Sequence, residues 1–217
     1  GDVFDVSNPS AASQRMYYEF IYRVTAENPG LQIVIVAGNH DSAARLEAPL
    51  PLLQAMRTEV RGVVRKLNEG EIDYDHLAVE LKNREGEVEV LCMAVPFLRQ
   101  GDYPVVETEG NPYMEGVREL YTQLLQRLWA RRKTNQAILA IGHLQATGSE
   151  IAEKDYSERT VIGGLECVSP DTFSEKIAYT ALGDIHKAQR VSGRENVRYA
   201  GSPIPMSFAE KHYHHGV

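Results

Sequence analysis

A chain of 217 residues, of which 43% are hydrophobic, is long enough to bury the core of one large domain. Its formal net charge of -7 excludes the overall basic character of a protein that coats nucleic acid, although it leaves room for a local basic patch. The two cysteines, Cys92 and Cys167, form no C-x-x-C pair, so a zinc knuckle is not expected and a reducing cytoplasm fits best. No segment is apolar enough to predict a membrane span.

The first predicted element is a helix over residues 11–27, with Ser10 as its N-cap. Apolar side chains recur in it at three- and four-residue spacing, which predicts one face packed in the core. These side chains are Met16, Tyr17, Phe20, Ile21 and Val24.

A short apolar run over residues 31–37 predicts a strand that is buried on both faces. Gly38, Asn39, His40 and Asp41 follow it directly. In open α/β sheets ligands bind at the carboxyl ends of strands, so these side chains are candidates for a site. A turn with local hydrogen bonds is the structural alternative.

The middle of the chain predicts a short helix over residues 43–56, interrupted by Pro49 and Pro51, and strands over residues 60–64, 76–81 and 88–95. His76 begins one of these strands among polar residues and is expected at the surface. Residues 96–112 predict a long loop.

The second half of the chain repeats the pattern of an apolar strand followed by glycine and a polar side chain. A helix is predicted over residues 114–133, and a strand over 136–141 leads to Gly142-His143. After a polar connection over 151–175, a strand over 177–182 leads to Gly183, Asp184 and His186, and a last strand covers 197–200. Strands that alternate with helices predict a layered α/β domain.

Asp, Asn and His side chains at several strand ends are the ligand mixture that suits manganese, iron or zinc. Calcium and magnesium prefer shells of oxygen alone. Two such ions bridged by a carboxylate can activate water and hold a phosphate for in-line attack. The recurrence of the pattern, with Asp2 as a further candidate, favours a dinuclear hydrolase site over isolated structural histidines.

The segments GDVFD, GNHDS, GHLQATG and GDIHKAQ, in this order, resemble the signature of the calcineurin-like metallophosphoesterases. Within that superfamily, PFLR at 96–99 and YAGSPIPMSF at 199–208 resemble the SbcD-type nuclease subunits of bacterial SbcCD complexes. The resemblance covers nearly the whole chain. It implies an α/β fold in which a layered β-sandwich is flanked by helices.

The same resemblance implies a manganese-dependent exonuclease and endonuclease that acts on DNA ends and hairpins. It implies two divalent metal ions, most often manganese, with iron or zinc as alternatives. The implied partners are an SbcC-type coiled-coil ATPase and a second copy of the chain, in the nucleoid-containing cytoplasm of a bacterium.

Roles carry over from the family motif by motif. Asp2 resembles the carboxylate that bridges the two ions, and Asn39 and His143 resemble ligands of the second ion. His40 resembles the general acid that protonates the leaving oxygen.

The last motif departs from the family pattern of Gly-His-x-His. His186 matches the second histidine, a ligand of the first ion, whereas Asp184 stands where the first histidine is usual. Aspartate ligates manganese well, so a harder site is expected rather than a dead one. Asp5 stands where other members of the superfamily place a histidine near the substrate or the metal ligands.

Residues 1–217 are expected to form a metallophosphoesterase domain. The family's first strand and its Asp-x-His motif are expected before residue 1, and its capping domain after residue 217. In this chain the second metal site is therefore expected to be nearly complete and the first incomplete.

Two other functions fit the same residues. One is a calcineurin-like phosphatase or cyclic nucleotide phosphodiesterase that acts on small phosphate esters, which the acidic net charge mildly favours. The other is a non-catalytic scaffold that docks an ATPase or a DNA end, which Asp184 in place of His would suit.

Overall fold

A computed structural model describes residues 1–149 and 167–216 as a mixed α/β structure. The predicted polar connection over 151–175 therefore lies largely outside the described residues. The helices are α1 (Ala11–Glu27), α2 (Ala43–Glu47), α3 (Leu50–Gln54) and α4 (Pro112–Arg131). The strands are β1 (Ile33–Val36), β2 (Thr58–Arg61), β3 (Ala78–Lys82), β4 (Val88–Ala94), β5 (Ala137–His143), β6 (Tyr179–Gly183), β7 (Gln189–Val191) and β8 (Arg194–Tyr199).

The strands form two sheets. The larger has the order β3-β4-β5-β6-β8-β7, and the smaller pairs β1 with β2 in parallel. Within the larger sheet β4, β5, β6 and β8 run parallel, and the two edge strands run antiparallel to their neighbours. Parallel strands bring their carboxyl ends to one edge, where ligands bind in α/β proteins.

Apolar side chains join the layers. Val36 of β1 packs with Val79, Cys92 and Ala94 of the larger sheet, so the two sheets face each other. On the other side, α4 contributes Leu124 and other buried residues to the largest core cluster, together with strands of the same sheet. The layered α/β fold class predicted from the sequence is thereby confirmed.

Most element positions agree with the sequence-based predictions. Ser10 caps α1, its side chain accepting a hydrogen bond from the Ser13 backbone N–H at 3.1 Å. Two prolines divide residues 43–56 into α2 and α3, because proline starts a helix but does not continue one. The three-residue strand β7 was not predicted, since it is too short to show an alternating pattern. Among the described residues, no helix is both long and apolar enough to cross a membrane.

The prediction that the apolar face of α1 lies in the core is wrong in part. Ile21 is 1% exposed and Tyr17 packs in the same cluster, but Met16 is 72% exposed and Phe20 59% exposed. The reason is geometric. Residues 17, 21 and 24 form one stripe, and residues 16 and 20 form a second stripe beside it, about 100° further round the helix.

The prediction that His76 lies at the surface is also wrong. Its side chain is 6% exposed, and its Nε2 atom lies 3.4 Å from the carboxylate of Glu47. That carboxylate also accepts the backbone N–H groups of Gly62 (2.8 Å) and Val63 (3.1 Å) and pairs with Arg65. Glu47 therefore ties α2 to the segment that follows β2.

These contacts set the protonation of Glu47. Burial alone would raise the pKa of its carboxyl, but His76, the two backbone N–H groups and Arg65 together lower the pKa from 4.5 to about 2. Because the folded-state pKa lies below the unfolded one, the carboxylate stabilises the fold above pH 4.5 and loses this effect as the pH falls towards 2.

We therefore expect Glu47→Gln to lower the free energy of unfolding by about 2 kcal/mol near neutral pH, and by much less near pH 3. Urea unfolding of both proteins at the two pH values measures this difference. The control is Glu195→Gln, which alters an exposed carboxylate paired with Arg190 and should change stability little. An equal loss at both pH values would contradict the assignment.

Candidate metal centre

Polar side chains from four segments meet at the carboxyl edge of the sheets. Asn39 and His40 follow β1, His143 is the last residue of β5, and Asp184 comes directly after β6. Asp2 reaches the same place from the segment before α1. The side chains of Asp2, His143 and Asp184 offer ligand atoms that all lie within 4.8 Å of one another.

The Nε2 atom of His143 is the centre of this cluster. It lies 2.9 Å from Asn39 Oδ1, 3.2 Å from Asp2 Oδ2 and 3.4 Å from Asp184 Oδ1, and the side chain is 1% exposed. One N–H group can satisfy only one of three acceptors well. A divalent cation that replaced this proton would be bound by all four atoms, so the residues fit a metal ion.

The cluster shifts the pKa values of its own members. Burial lowers the pKa of His143, but hydrogen bonds with Asp184 and Asp2 outweigh burial and raise it. Burial raises the pKa of Asp2, but its hydrogen bond with His143 and the His40 backbone N–H reverse this and lower it. Both directions favour the charged forms, a cationic ring beside anionic carboxylates.

The backbone around the cluster adopts conformations that few residues take. Asp2 has φ of +53° and Asp184 has φ of +97°, in the region that side chains other than glycine rarely occupy. A Cβ atom at Gly38 would collide with the Asp2 carboxylate, so only glycine lets the two segments approach this closely. Local strain of this kind is characteristic of functional sites.

Asp41 holds the two segments together. Its carboxylate is 2% exposed and accepts backbone N–H groups from Val3 (3.1 Å), Phe4 (3.0 Å) and Gly38 (2.9 Å). These bonds fix the segment that carries Asp2 against the turn that carries Asn39. The alternative interpretation of residues 38–41 as a turn with local hydrogen bonds is thus partly correct, because one of the three bonds is local.

His40 lies beside the cluster. Its backbone N–H donates to Asp2 Oδ1 at 2.9 Å, and its ring Nδ1 lies 2.9 Å from the carbonyl oxygen of Asp5. A carbonyl only accepts, so Nδ1 carries the hydrogen and the ring presents Nε2 elsewhere. Asp5, to which the motifs gave no role, thus accepts a hydrogen bond from the His40 ring through its backbone carbonyl.

His186 lies outside the group of three among the described residues. Its ring Nδ1 is 2.8 Å from Oε1 of Glu210, a carboxylate that is 0% exposed. Of the predicted metal ligands, the structure therefore brings together Asp2, Asn39, His143 and Asp184. His186, two positions after Asp184 in the sequence, instead contacts Glu210.

Sequence reasoning missed Arg99 near the site. Its guanidinium lies 3.4 Å from the backbone oxygen of Asn39 and stacks over the Phe97 ring at 5.3 Å, and that ring lies 6.2 Å from the His143 ring. Arg99 belongs to the PFLR motif, but the motif does not indicate where the arginine side chain lies.

The layered α/β fold, whose strand ends gather side chains that could hold a metal ion, is consistent with a metallophosphoesterase fold. Three curated proteins, each named as the SbcD component of the SbcCD nuclease, are similar to the chain. The relative from Rhodobacter capsulatus is 37% identical over 100% of this chain and 54% of its own length. The relative from Escherichia coli is 31% identical over 97% of this chain and 50% of its own length. The relative from Bacillus subtilis is 26% identical over 98% of this chain and 52% of its own length.

The resemblance inferred from the motifs is confirmed: the chain is a relative of the SbcD-type nuclease subunits. It spans about half the length of the curated relatives that it matches. No protein-family model matches the chain.

We expect Asp41→Asn to weaken manganese binding at least tenfold and to lower the free energy of unfolding by about 1–3 kcal/mol. An asparagine offers one acceptor oxygen where two are needed, so at least one backbone N–H loses its partner. Isothermal titration with manganese and urea unfolding measure the two effects. The control is Asp75→Asn, an exposed carboxylate paired with Arg131, and equal metal affinities in both variants would contradict the role of Asp41.

Proposed function

We propose that the protein is the nuclease subunit of an SbcCD-like DNA repair complex, a metal-dependent exonuclease and endonuclease that hydrolyses phosphodiester bonds at DNA ends and hairpins. The observation that carries the proposal is the cluster of three oxygen acceptors around His143, in a chain whose whole length is similar to an SbcD nuclease component. In this proposal residues 1–217 form the nuclease domain.

The residues that would hold the metal ions are Asp2, Asn39, His143 and Asp184, with His186 as a ligand of the first ion. Their mixture of oxygen and nitrogen donors favours manganese, with iron or zinc as alternatives. When bound, such ions polarise a phosphate and activate water. Asp2 would supply the carboxylate shared by the ions: its Oδ2 lies 3.2 Å from His143 Nε2, and its Oδ1 accepts the His40 backbone N–H.

His40 is the proposed general acid. Its side chain is 13% exposed, and the Asp5 carbonyl fixes the ring through Nδ1–H, so Nε2 is the atom that delivers a proton when the ring is in its cationic form, which carries hydrogen on both nitrogens. Breaking a phosphodiester leaves an alkoxide oxygen, and protonating that oxygen as the bond breaks makes it a better leaving group. The hydrogen bond from the His40 backbone N–H to Asp2 keeps this histidine next to the proposed metal ligands.

We expect His40→Ala in the full-length protein to reduce manganese-dependent cleavage of linear duplex DNA by about 10²–10⁴-fold, because it removes the acid. Manganese affinity should change little, since the ring itself is not a ligand. His143→Ala is the matched comparison and should lose both cleavage and affinity. Cleavage of nucleotide monoesters, together with no action on DNA, would instead support the alternative of a small phosphate ester substrate.

Arg99 is the proposed contact for the substrate phosphate. Its side chain is exposed, stacks on Phe97 and reaches the turn that carries Asn39 and His40, so it adds a cation beside an otherwise acidic cluster. A guanidinium binds phosphate oxygens through paired hydrogen bonds.

We therefore expect Arg99→Ala to raise KM for duplex DNA about five- to tenfold, because the lost contact binds ground state and transition state alike. The effect should shrink at high salt. Steady-state cleavage assays at two salt concentrations measure it. Arg84→Ala, which removes an arginine from the β3–β4 turn, is the control, and equal changes in both variants would contradict a local role for Arg99.

The proposed partners are an SbcC-type ATPase and a second copy of the chain. The homodimer is supported by the exposed stripe of α1, where Met16 is 72% and Phe20 is 59% exposed. Neighbouring large apolar side chains at this exposure are more typical of an interface than of a free surface.

We expect the double substitution Met16→Glu and Phe20→Glu to weaken self-association at least tenfold without unfolding the domain, because neither side chain is buried. Light scattering across a dilution series measures the dimer dissociation constant. Leu52→Glu, an equally exposed apolar position on α3, is the control. A dimer unaffected by the double substitution would place the interface elsewhere.

A further inference from the structure

Glu210 is the most deeply buried acidic residue that the structure describes, at 0% exposed. It ends a short 3₁₀ turn, Phe208–Glu210, that follows β8. Burying a carboxylate is unfavourable unless each oxygen has a hydrogen-bond donor. The Glu210 carboxylate therefore needs hydrogen-bond donors from within the fold.

Both oxygens of Glu210 have partners. Oε1 lies 2.8 Å from Nδ1 of His186, and Oε2 accepts the backbone N–H of Met206 at 2.9 Å. The chain after β8 also contacts the His186 backbone, since the Ser202 N–H donates to the His186 carbonyl at 2.9 Å. The chain after β8 is thus folded back onto the segment that follows β6.

We infer that Glu210 is a positioning residue that fixes the tautomer and orientation of the His186 ring. A carboxylate only accepts hydrogen bonds, so Nδ1 of His186 carries the hydrogen and Nε2 carries the lone pair. Nε2 is then the atom that binds a cation. A histidine ligand whose second nitrogen donates to a carboxylate is held in one orientation and is more basic.

This inference rests on the proposed function, in which His186 is a metal ligand. A purely structural tie of the last segment is the competing explanation for Glu210. Both place the hydrogen of the His186 ring on Nδ1, and they differ in what the loss of Glu210 does: a structural tie predicts lower stability alone, whereas a positioning role also predicts weaker metal binding as the hydrogen moves to Nε2.

The substitution Glu210→Gln separates them. A glutamine offers one acceptor oxygen, and the Met206 backbone N–H must keep an acceptor because it cannot change its own state. The amide NH₂ group then faces Nδ1 of His186. The ring must accept there, which moves its hydrogen to Nε2 and blocks the ligand atom.

The experiment uses full-length protein labelled with ¹⁵N at histidine, with His186→Ala to assign the ring signals. In the metal-free parent protein we expect the Nδ1–H tautomer at His186, and in Glu210→Gln a shift to Nε2–H. Manganese affinity should fall about 10–100-fold in the variant. The value of kcat should fall in parallel, whereas KM for duplex DNA should stay within about twofold, because Glu210 does not contact substrate.

Glu47→Gln is the matched control. Glu47 is also a buried glutamate that accepts backbone N–H groups and lies beside a histidine, but its partners lie between β2 and β3 and are not members of the cluster. We expect it to lose stability while the His186 tautomer and the manganese affinity stay unchanged.

An Nε2–H tautomer in the parent protein would overturn the inference without any variant. So would a Glu210→Gln protein that loses only stability, as the control does. If the parent protein binds no manganese and cuts no DNA, the proposed function fails, and the NMR result still decides whether Glu210 sets the His186 tautomer.

Discussion

The site depends on one buried carboxylate. Asp41 accepts three backbone N–H groups, two of them from the segment at residues 3–4 and one from Gly38, more than thirty positions further along the chain. A carboxylate at 2% exposure is tolerable because these donors satisfy it. Through these bonds the Asp2 side chain is held against the turn that carries Asn39. Asp41 thus fixes the position of Asp2 relative to Asn39, although Asp41 is not itself a proposed ligand.

Around His143 the described part of the chain concentrates hydrogen-bond acceptors. Two carboxylates and an amide oxygen lie within 3.4 Å of one ring nitrogen. The backbone is strained at Asp2 and Asp184, both at positive φ. A protein that gathers negative charge and strain at one point gains by binding a cation there, since the cation removes the repulsion between the oxygens. The same arrangement would be unfavourable for a purely structural core.

The part of the fold and site set by strand ends was predictable from sequence. A parallel sheet aligns the carboxyl ends of its strands. The Gly-His143 and Gly-Asp184 pairs at two strand ends were therefore predicted to be neighbours, and the strand register pairs His143 with Gly183.

Longer-range contacts were not predictable. His76 looked exposed because its neighbours in sequence are polar, but Glu47 partners it from a distant helix. Glu210 lies 24 positions after His186, with no local signal that links them. Met16 and Phe20 share spacing with buried neighbours but lie on a separate stripe.

We propose that a metal ion binds among Asp2, Asn39, His143 and Asp184. Crystals grown with manganese, with diffraction recorded on both sides of the manganese absorption edge, test it most directly. We expect an anomalous peak within bonding distance of His143 Nε2 and the three oxygens. No peak there in a protein that still cleaves DNA with manganese, or a peak bound by other residues alone, would contradict the account.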